Sequence, residues 1–164
     1  MRRCMLLVFV LLLLLSLTAC GQKMTVTFDQ AVTDCQGLQV TAEYAWEEQN
    51  DTAEPAEEKQ LKLVLRMQND TEQFVLFGSR FVVEREENGQ WVPCQMHNIV
   101  WSDVAYFLEP GKSREDAYYL NGCYAIEEPG KYRFQMGVNL SENTDMKDLN
   151  PDGDYKVTVE FTVK

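Results

Sequence analysis

The only histidine of the chain, His97, limits the nucleophilic or metal-dependent chemistry that the sequence could support. It follows Cys94 at a C-x-x-H spacing that could supply half of a zinc site, but a closed structural site needs four ligands. On a strand, positions 94 and 97 would also point to opposite faces. As the base of a Ser-His-Asp triad, His97 would lack the Gly-x-Ser-x-Gly elbow that presents the serine. The sequence therefore predicts no enzyme and no cofactor, with His97 a half-exposed strand residue.

Acidic residues near the carboxyl terminus form a pattern that could bind calcium. Residues 148–153 read Asp-Leu-Asn-Pro-Asp-Gly, the first half of an EF-hand loop. The candidate ligands are Asp148, Asn150, Asp152 and Asp154, and Asp145 adds charge. The second half of the motif fails, because Val159 stands where a bidentate glutamate belongs. Two interpretations stay open: a weak calcium site, or a plain acidic loop that ends in a type I turn over 150–153.

The chain as a whole is strongly acidic. Its 164 residues include 15 Lys and Arg against 26 Asp and Glu, which gives a net charge of −11. This charge argues against a nucleic-acid partner, since phosphate binding needs a basic face. Six of the acids lie within 47–58, where no basic residue stands. A glycosidase needs two carboxylates at a fixed separation, so this segment is interpreted as a solvated loop.

The amino terminus has the order of an export signal. Two arginines at positions 2 and 3 precede eleven consecutive apolar residues, 5–15, and the small residues of 16–19 follow. The apolar run is too short to span a bilayer comfortably, which takes about 20 residues. We therefore expect residues 1–19 to be a cleaved signal peptide. Removing Arg2 and Arg3 takes the net charge of the mature chain from −11 to −13.

The segment Leu17-Thr18-Ala19-Cys20 directly after this run resembles the lipobox of bacterial lipoproteins. The resemblance implies that Cys20 receives a diacylglyceryl group and becomes the first mature residue. Two acyl chains give stable anchoring where one gives only reversible binding. The chain is thus expected at the extracytoplasmic face of the cell membrane, with residues 20–23 as a short tether. Ordinary secretion with a coincidental cysteine is the alternative.

The mature chain alternates apolar and polar residues with the period of a half-buried strand. The alternation is clean over 38–46, 61–67, 132–140 and 155–163, and shorter strands are expected near 24–28, 80–86, 90–97 and 113–120. No mature segment shows a helical period over three turns. The residues predicted to be buried on facing sheets are Leu63, Leu65, Phe134, Val138 and Val159.

Turn residues separate these strands. Asn88-Gly89 indicates a hairpin, and Pro110-Gly111 and Pro129-Gly130 are expected to make tight turns in which the glycine supplies a positive φ. About seven to nine short strands without helices are typical of a β-sandwich. The sequence therefore predicts one all-β domain, an antiparallel sandwich over 24–164.

Several of these segments together resemble a known family. They are 61–69, Gly78, 81–84, 89–93, 108–113, 129–134 and 161–163. In type and order they look like the bacterial immunoglobulin-like domain that many lipoproteins of Gram-positive Firmicutes carry, over about 38–164. The resemblance implies an immunoglobulin-like sandwich and gives no catalytic residues. The antibody pattern is missing, since no Tyr stands two residues before Cys123.

Three cysteines remain after processing: Cys35, Cys94 and Cys123. Outside the cytoplasm at most one intramolecular disulfide can form among them. The immunoglobulin-like topology would bring Cys94 and Cys123 toward each other. Three buried free thiols are the equally weighted alternative, because free cysteine packs as a small hydrophobe.

The function implied by the resemblance is non-catalytic binding, through loops at the ends of the sandwich, of a protein or an envelope component. Trp101, Tyr106 and Phe107 could belong to a partner-facing patch. An alternative is a small β-sandwich protease inhibitor that presents the stretch Asn98 to Glu109 to a protease cleft. A hydrolase is the third hypothesis, and it would depend on His97 or the acidic loop.

Overall fold

The structure is a computed structural model that describes residues 25–48, 59–145 and 150–164. The described strands are β1 (Val26–Phe28), β2 (Val32–Thr33), β3 (Leu38–Glu48), β4 (Lys59–Asn69), β5 (Phe74–Gly78), β6 (Val82–Glu87), β7 (Gln90–Pro93), β8 (Ala105–Leu108), β9 (Ser113–Tyr119), β10 (Gly130–Ser141) and β11 (Tyr155–Val163). One short helix, α1 (Leu120–Cys123), follows β9. The prediction of an all-β antiparallel sandwich is confirmed.

The strands form two antiparallel sheets. The large sheet has the order β1-β11-β10-β5-β8, with β2 also on β11, β6 also on β10, and β7 on β6. The small sheet has the order β3-β4-β9. Eleven strands are described where seven to nine were predicted. The additional ones are β2, β5 and β8: β2 shares one edge of β11 with β1, β5 shares one edge of β10 with β6, and β8 pairs with β5.

The core lies between the two sheets and follows the predicted alternation. Leu63, Leu65, Phe134, Val138 and Val159 are all fully buried, as predicted. Phe81 enters the same core from the segment before β6. Its ring lies 5.0–5.6 Å from four other aromatic rings, those of Trp101, Tyr118, Tyr124 and Phe134.

The predicted turns are confirmed in three places and corrected in one. Asn88 and Gly89 have φ of 53° and 79° and join β6 to β7, as a type I′ hairpin requires. Gly111 has φ of 70°, and the amide of Gly153 donates to Asn150 O at 3.0 Å to close the turn over 150–153. The prediction for Gly130 is wrong. Gly130 begins β10 without a positive φ, and a Cβ there would lie 3.0 Å from Nε of the flexible Arg85 side chain, which would have to shift slightly.

A tyrosine corner marks the start of β10. The buried Tyr132 donates its hydroxyl to Glu128 O, four residues upstream, at 2.7 Å. This backward bond from the start of a strand is a hallmark of immunoglobulin-like domains. In antibody domains a cysteine follows two residues after that tyrosine, and here Phe134 stands in its place. The antibody pattern of a tyrosine two residues before a cysteine therefore does not reveal this corner, because that cysteine is absent here.

Candidate interaction surface

The segment between β7 and β8 forms an irregular exposed loop. Val100 is 96% exposed, more than any other large hydrophobic residue among the described part of the chain. The residues on either side of it are fixed to the body. The amide of His97 donates to Cys123 O at 2.9 Å, Trp101 packs edge-on against Phe81 at 5.0 Å, and Ser79 Oγ donates to Ser102 O at 2.8 Å. The loop therefore projects Val100 from an anchored base.

The three aromatic residues predicted as a patch do not share one surface. Trp101 packs against the core, and the ring of Tyr106 lies 4.4 Å from the Arg114 guanidinium and 5.7 Å from the Phe77 ring. Phe107 alone points outward, and it is 50% exposed. Among the large hydrophobic residues of 98–108, the exposed ones are Val100, Val104 and Phe107. We call these three residues the apolar rim.

A surface groove of about 260 Å³ lies beside the apolar rim. Ser102, Asp103 and Val104 form one wall, and Asn150 and Pro151 line it from the turn before β11. Polar and apolar groups therefore meet here, at the start of β8. Strand addition and loop insertion are the binding modes that an edge strand and such a loop can support.

Arg114 and Asp116 close the side of the sandwich beneath the apolar rim. The guanidinium Nε and Nη2 atoms of Arg114 each donate to an Asp116 carboxylate oxygen at 2.7 Å. The same guanidinium covers the rings of Tyr106 and Phe77, which belong to the other sheet. Hydrogen bonding to Asp116 raises the pKa of Arg114. This cation–π contact joins β9 to β8 and fixes the orientation of the edge strand.

His97 lies outside the strands and is exposed, so its predicted place within a strand is wrong. The strand β7 ends at Pro93, and only an isolated bridge between Met96 and Tyr124 follows. Among the residues that the structure describes, no group of three or more His, Cys, Asp or Glu side chains could hold a metal ion.

Cys35, Cys94 and Cys123 are free cysteines in the structure. Burial raises the pKa of the Cys94 thiol to about 11, and burial also raises the pKa of Cys35 and of Cys123. In the antiparallel register of the Met96–Tyr124 bridge, Cys94 and Cys123 are offset from each other by three residues. That spacing is about 10 Å at the rise of a strand, whereas a disulfide spans Cα atoms less than about 7 Å apart. A Cys94–Cys123 bond would need this pairing to shift, and it stays a prediction.

The candidate calcium ligands fall partly outside the described residues, because Asp148 lies within 146–149. The described part is a hydrogen-bonded turn. Asn150 Oδ1 accepts from the Asp152 amide at 3.1 Å, and Asn150 Nδ2 donates to Asp154 Oδ1 at 3.2 Å. These bonds account for the turn without an ion. Calcium binding stays a prediction.

The predicted signal peptide 1–19, the predicted lipidation site Cys20, the predicted tether 20–23 and residues 49–58 of the acidic segment also lie outside the described residues, so these assignments stay predictions. Within the described ranges, no helix has the length and apolar character needed to cross a membrane.

The comparison with protein families gives one match. The model of the bacterial Ig-like domain matches residues 48–163, which covers most of the chain. A search of curated proteins found no match. The matched range contains β4 to β11 and the tyrosine corner, while β1, β2 and all of β3 except Glu48 precede it. The chain therefore belongs to the bacterial Ig-like domain family.

Proposed function

We propose that this protein is a lipid-anchored extracytoplasmic binding protein whose Ig-like domain recognises a protein or an envelope component and performs no catalysis. The family match over 48–163 carries this proposal, because domains of this type act as interaction modules. Fold alone does not specify a partner, so the anchor and the binding surface each need their own evidence.

The anchor is supported by the sequence and by the position of β1. Cys20 is separated from Val26, the first residue of β1, by only five residues. Five extended residues span at most about 18 Å. A diacylglyceryl group on Cys20 would therefore hold the sandwich close to the bilayer.

The strand register indicates which end of the sandwich would then face the membrane. Val26 pairs with Val163, and Val163 also pairs with Gly130, so β1 and β10 start at the same end. The strand β5 pairs with the opposite half of β10, near Ser141, and β8 pairs with β5. Ser141 lies eleven positions after Gly130, about 36 Å along a strand. This arrangement favours exposure of β8 and the apolar rim on the side away from the bilayer.

The anchor is tested with Cys20→Ala. Wild-type protein should be in the membrane fraction and should incorporate a labelled fatty acid. Cys20→Ala should incorporate none and should appear in the soluble extracytoplasmic fraction or as unprocessed precursor. Cys4→Ala is the matched control, since Cys4 lies within the signal peptide. Identical fractionation of wild type and Cys20→Ala would show that the anchor is assigned wrongly.

A protease inhibitor is the second candidate function. The observation that favours it is the loop geometry: Val100 is almost completely exposed, while Trp101 and Ser102 beside it are held by the body. A rigid projecting loop is what a protease cleft accepts at low entropic cost. The protein should then inhibit an extracytoplasmic serine protease, and this inhibition should vanish in Val100→Asp but persist in Val92→Asp. Absence of inhibition across protease classes would exclude this role.

A further inference from the structure

The edges of the two sheets are protected unequally. Natural sheets protect free edges with proline, charges that point inward, or very short strands. In the small sheet, the edge strand β9 carries the inward ion pair of Arg114 and Asp116, and the other edge strand, β3, carries three glutamates. In the large sheet, β1 and β2 are only three and two residues long, and β7 contains Pro93. The strand β8 has the sequence Ala-Tyr-Phe-Leu, which contains neither a charge nor a proline.

The backbone of β8 offers an ordered template. It pairs with β5 on one side, and no other described strand pairs with it. Alternate residues of an antiparallel edge strand direct their N–H and C=O groups away from the neighbour. The strand is fixed from within, because Leu108 is buried and Tyr106 lies under Arg114. A partner strand could therefore pair without first ordering this edge.

The side chains along the same edge define the partner's chemistry. Four residues at alternate positions of this segment are all exposed: Asp103, Ala105, Phe107 and Glu109. Acidic groups thus bracket the apolar centre of β8, six positions apart in the sequence, with Asp103 in the loop before the strand and Glu109 directly after it. Two copies of a chain with a mature net charge of −13 would repel each other. Charge complementarity favours a basic partner over a second copy.

We infer that β8 binds an extended segment of a partner polypeptide by strand addition, and that this segment carries apolar residues between two basic residues spaced six positions apart. The inference rests on the proposed binding function and names its surface. Backbone hydrogen bonds would supply affinity, and the side chains that face Phe107, Asp103 and Glu109 would supply specificity.

The probe is the synthetic peptide Lys-Thr-Val-Thr-Val-Thr-Lys, in which the lysines and valines share one face. It is titrated against the full expressed chain in detergent, with fluorescence anisotropy for affinity and hydrogen exchange for location. Binding should slow exchange of the amides of β8 and leave those of β7 unchanged. Phe107→Lys should weaken binding by about tenfold or more, through loss of the apolar contact and repulsion of the peptide's lysines. Val92→Lys is the matched control, since Val92 is 38% exposed on β7, the other four-residue edge strand of the same sheet.

A charge exchange tests specificity and guards against misfolding of a single variant. Asp103→Lys combined with Glu109→Lys should reject the lysine-flanked peptide and accept one flanked by glutamates. A peptide with N-methylated alternate amides should not bind, because it cannot complete the ladder. Four outcomes would each overturn the inference. They are equal binding of the methylated peptide, slowed amide exchange at β7, no binding of the lysine-flanked peptide, and a dimer of the protein in the absence of peptide. Fractionation of Cys20→Ala is independent of these outcomes, so failure of the strand site and failure of the anchor are distinguishable.

Discussion

Gly137 provides the sharpest test of how the turn before β11 packs against the large sheet. Gly137 lies within β10, and its φ is not in the left-handed region, so alanine there would meet no backbone strain. A Cβ would nevertheless overlap Asp152 O and would lie 2.6 Å from Asp152 C and 2.9 Å from Gly153 N. All these atoms are backbone, so no flexible side chain can move aside. Gly137→Ala must displace the turn.

The cost follows from what the turn contacts. Asn139 is buried, donates its Nδ2 to Asn150 O at 3.1 Å and accepts the Asp154 amide at 3.2 Å. Overpacking costs about 1–3 kcal/mol, and leaving a buried polar group without its partners costs about 1–3 kcal/mol more. We expect Gly137→Ala to lower the free energy of unfolding by about 2–6 kcal/mol.

Chemical denaturation monitored by tryptophan fluorescence measures this change. Gly89→Ala is the matched control, because Gly89 has φ of 79° and no atom within 4 Å of an added Cβ. That variant should lose only the left-handed strain, about 1–2 kcal/mol. If Gly137→Ala costs no more than Gly89→Ala, the turn does not lie against β10 as described.

Three further predictions concern the core, the thiols and calcium. Leu65→Ala should lower the free energy of unfolding by about 2–5 kcal/mol through lost burial and a residual cavity. Lys62→Glu, on the outer face of the same strand, should cost far less. Equal losses would mean that the inner and outer faces of β4 are misassigned. Burial raises the pKa of Cys94 from 9.0 to about 11 in the folded state, so the contribution of this thiol to the free energy of unfolding is complete below pH 9 and declines as the pH rises toward 11. Cys94→Ala should therefore make the free energy of unfolding fall less steeply between pH 9 and 11. An unchanged slope would refute this assignment. If the loop binds calcium, excess calcium raises the melting temperature relative to chelator, and the shift vanishes in Asp148→Asn with Asp152→Asn; no shift, or one that survives both changes, rules out a site in this loop.

The long strands could be predicted from the sequence because they bury one face and expose the other. In β10 and β11, buried and partly exposed residues alternate over most of the strand, so period two is visible in the chain itself. In β5 the three central residues, Val75 to Phe77, are all buried. A strand covered on both faces shows no alternation, and it was missed for that reason.

The surface could be predicted only in part. The stretch 98–109 was named as a binding segment, but its second half is the strand β8, whose four residues are too few to show a period. Which strand ends a sheet depends on long-range pairing, here of β8 with β5. No local pattern encodes that. The approach of Gly153 to Gly137 is equally non-local, since in the sequence Gly137 only interrupts an alternating strand.

A buried asparagine connects the packing of this end of the sandwich to its proposed use. Asn69, at the end of β4, is fully buried and donates Nδ2 to Leu108 O at 2.9 Å and to Gln73 O at 2.8 Å. Its own backbone accepts the Gly111 amide at 2.7 Å. One side chain thus fixes the end of β8 and the start of β5, and its backbone fixes the turn after β8. A binding edge that is already ordered loses little conformational entropy when a partner arrives, so even a four-residue strand can contribute affinity through its backbone.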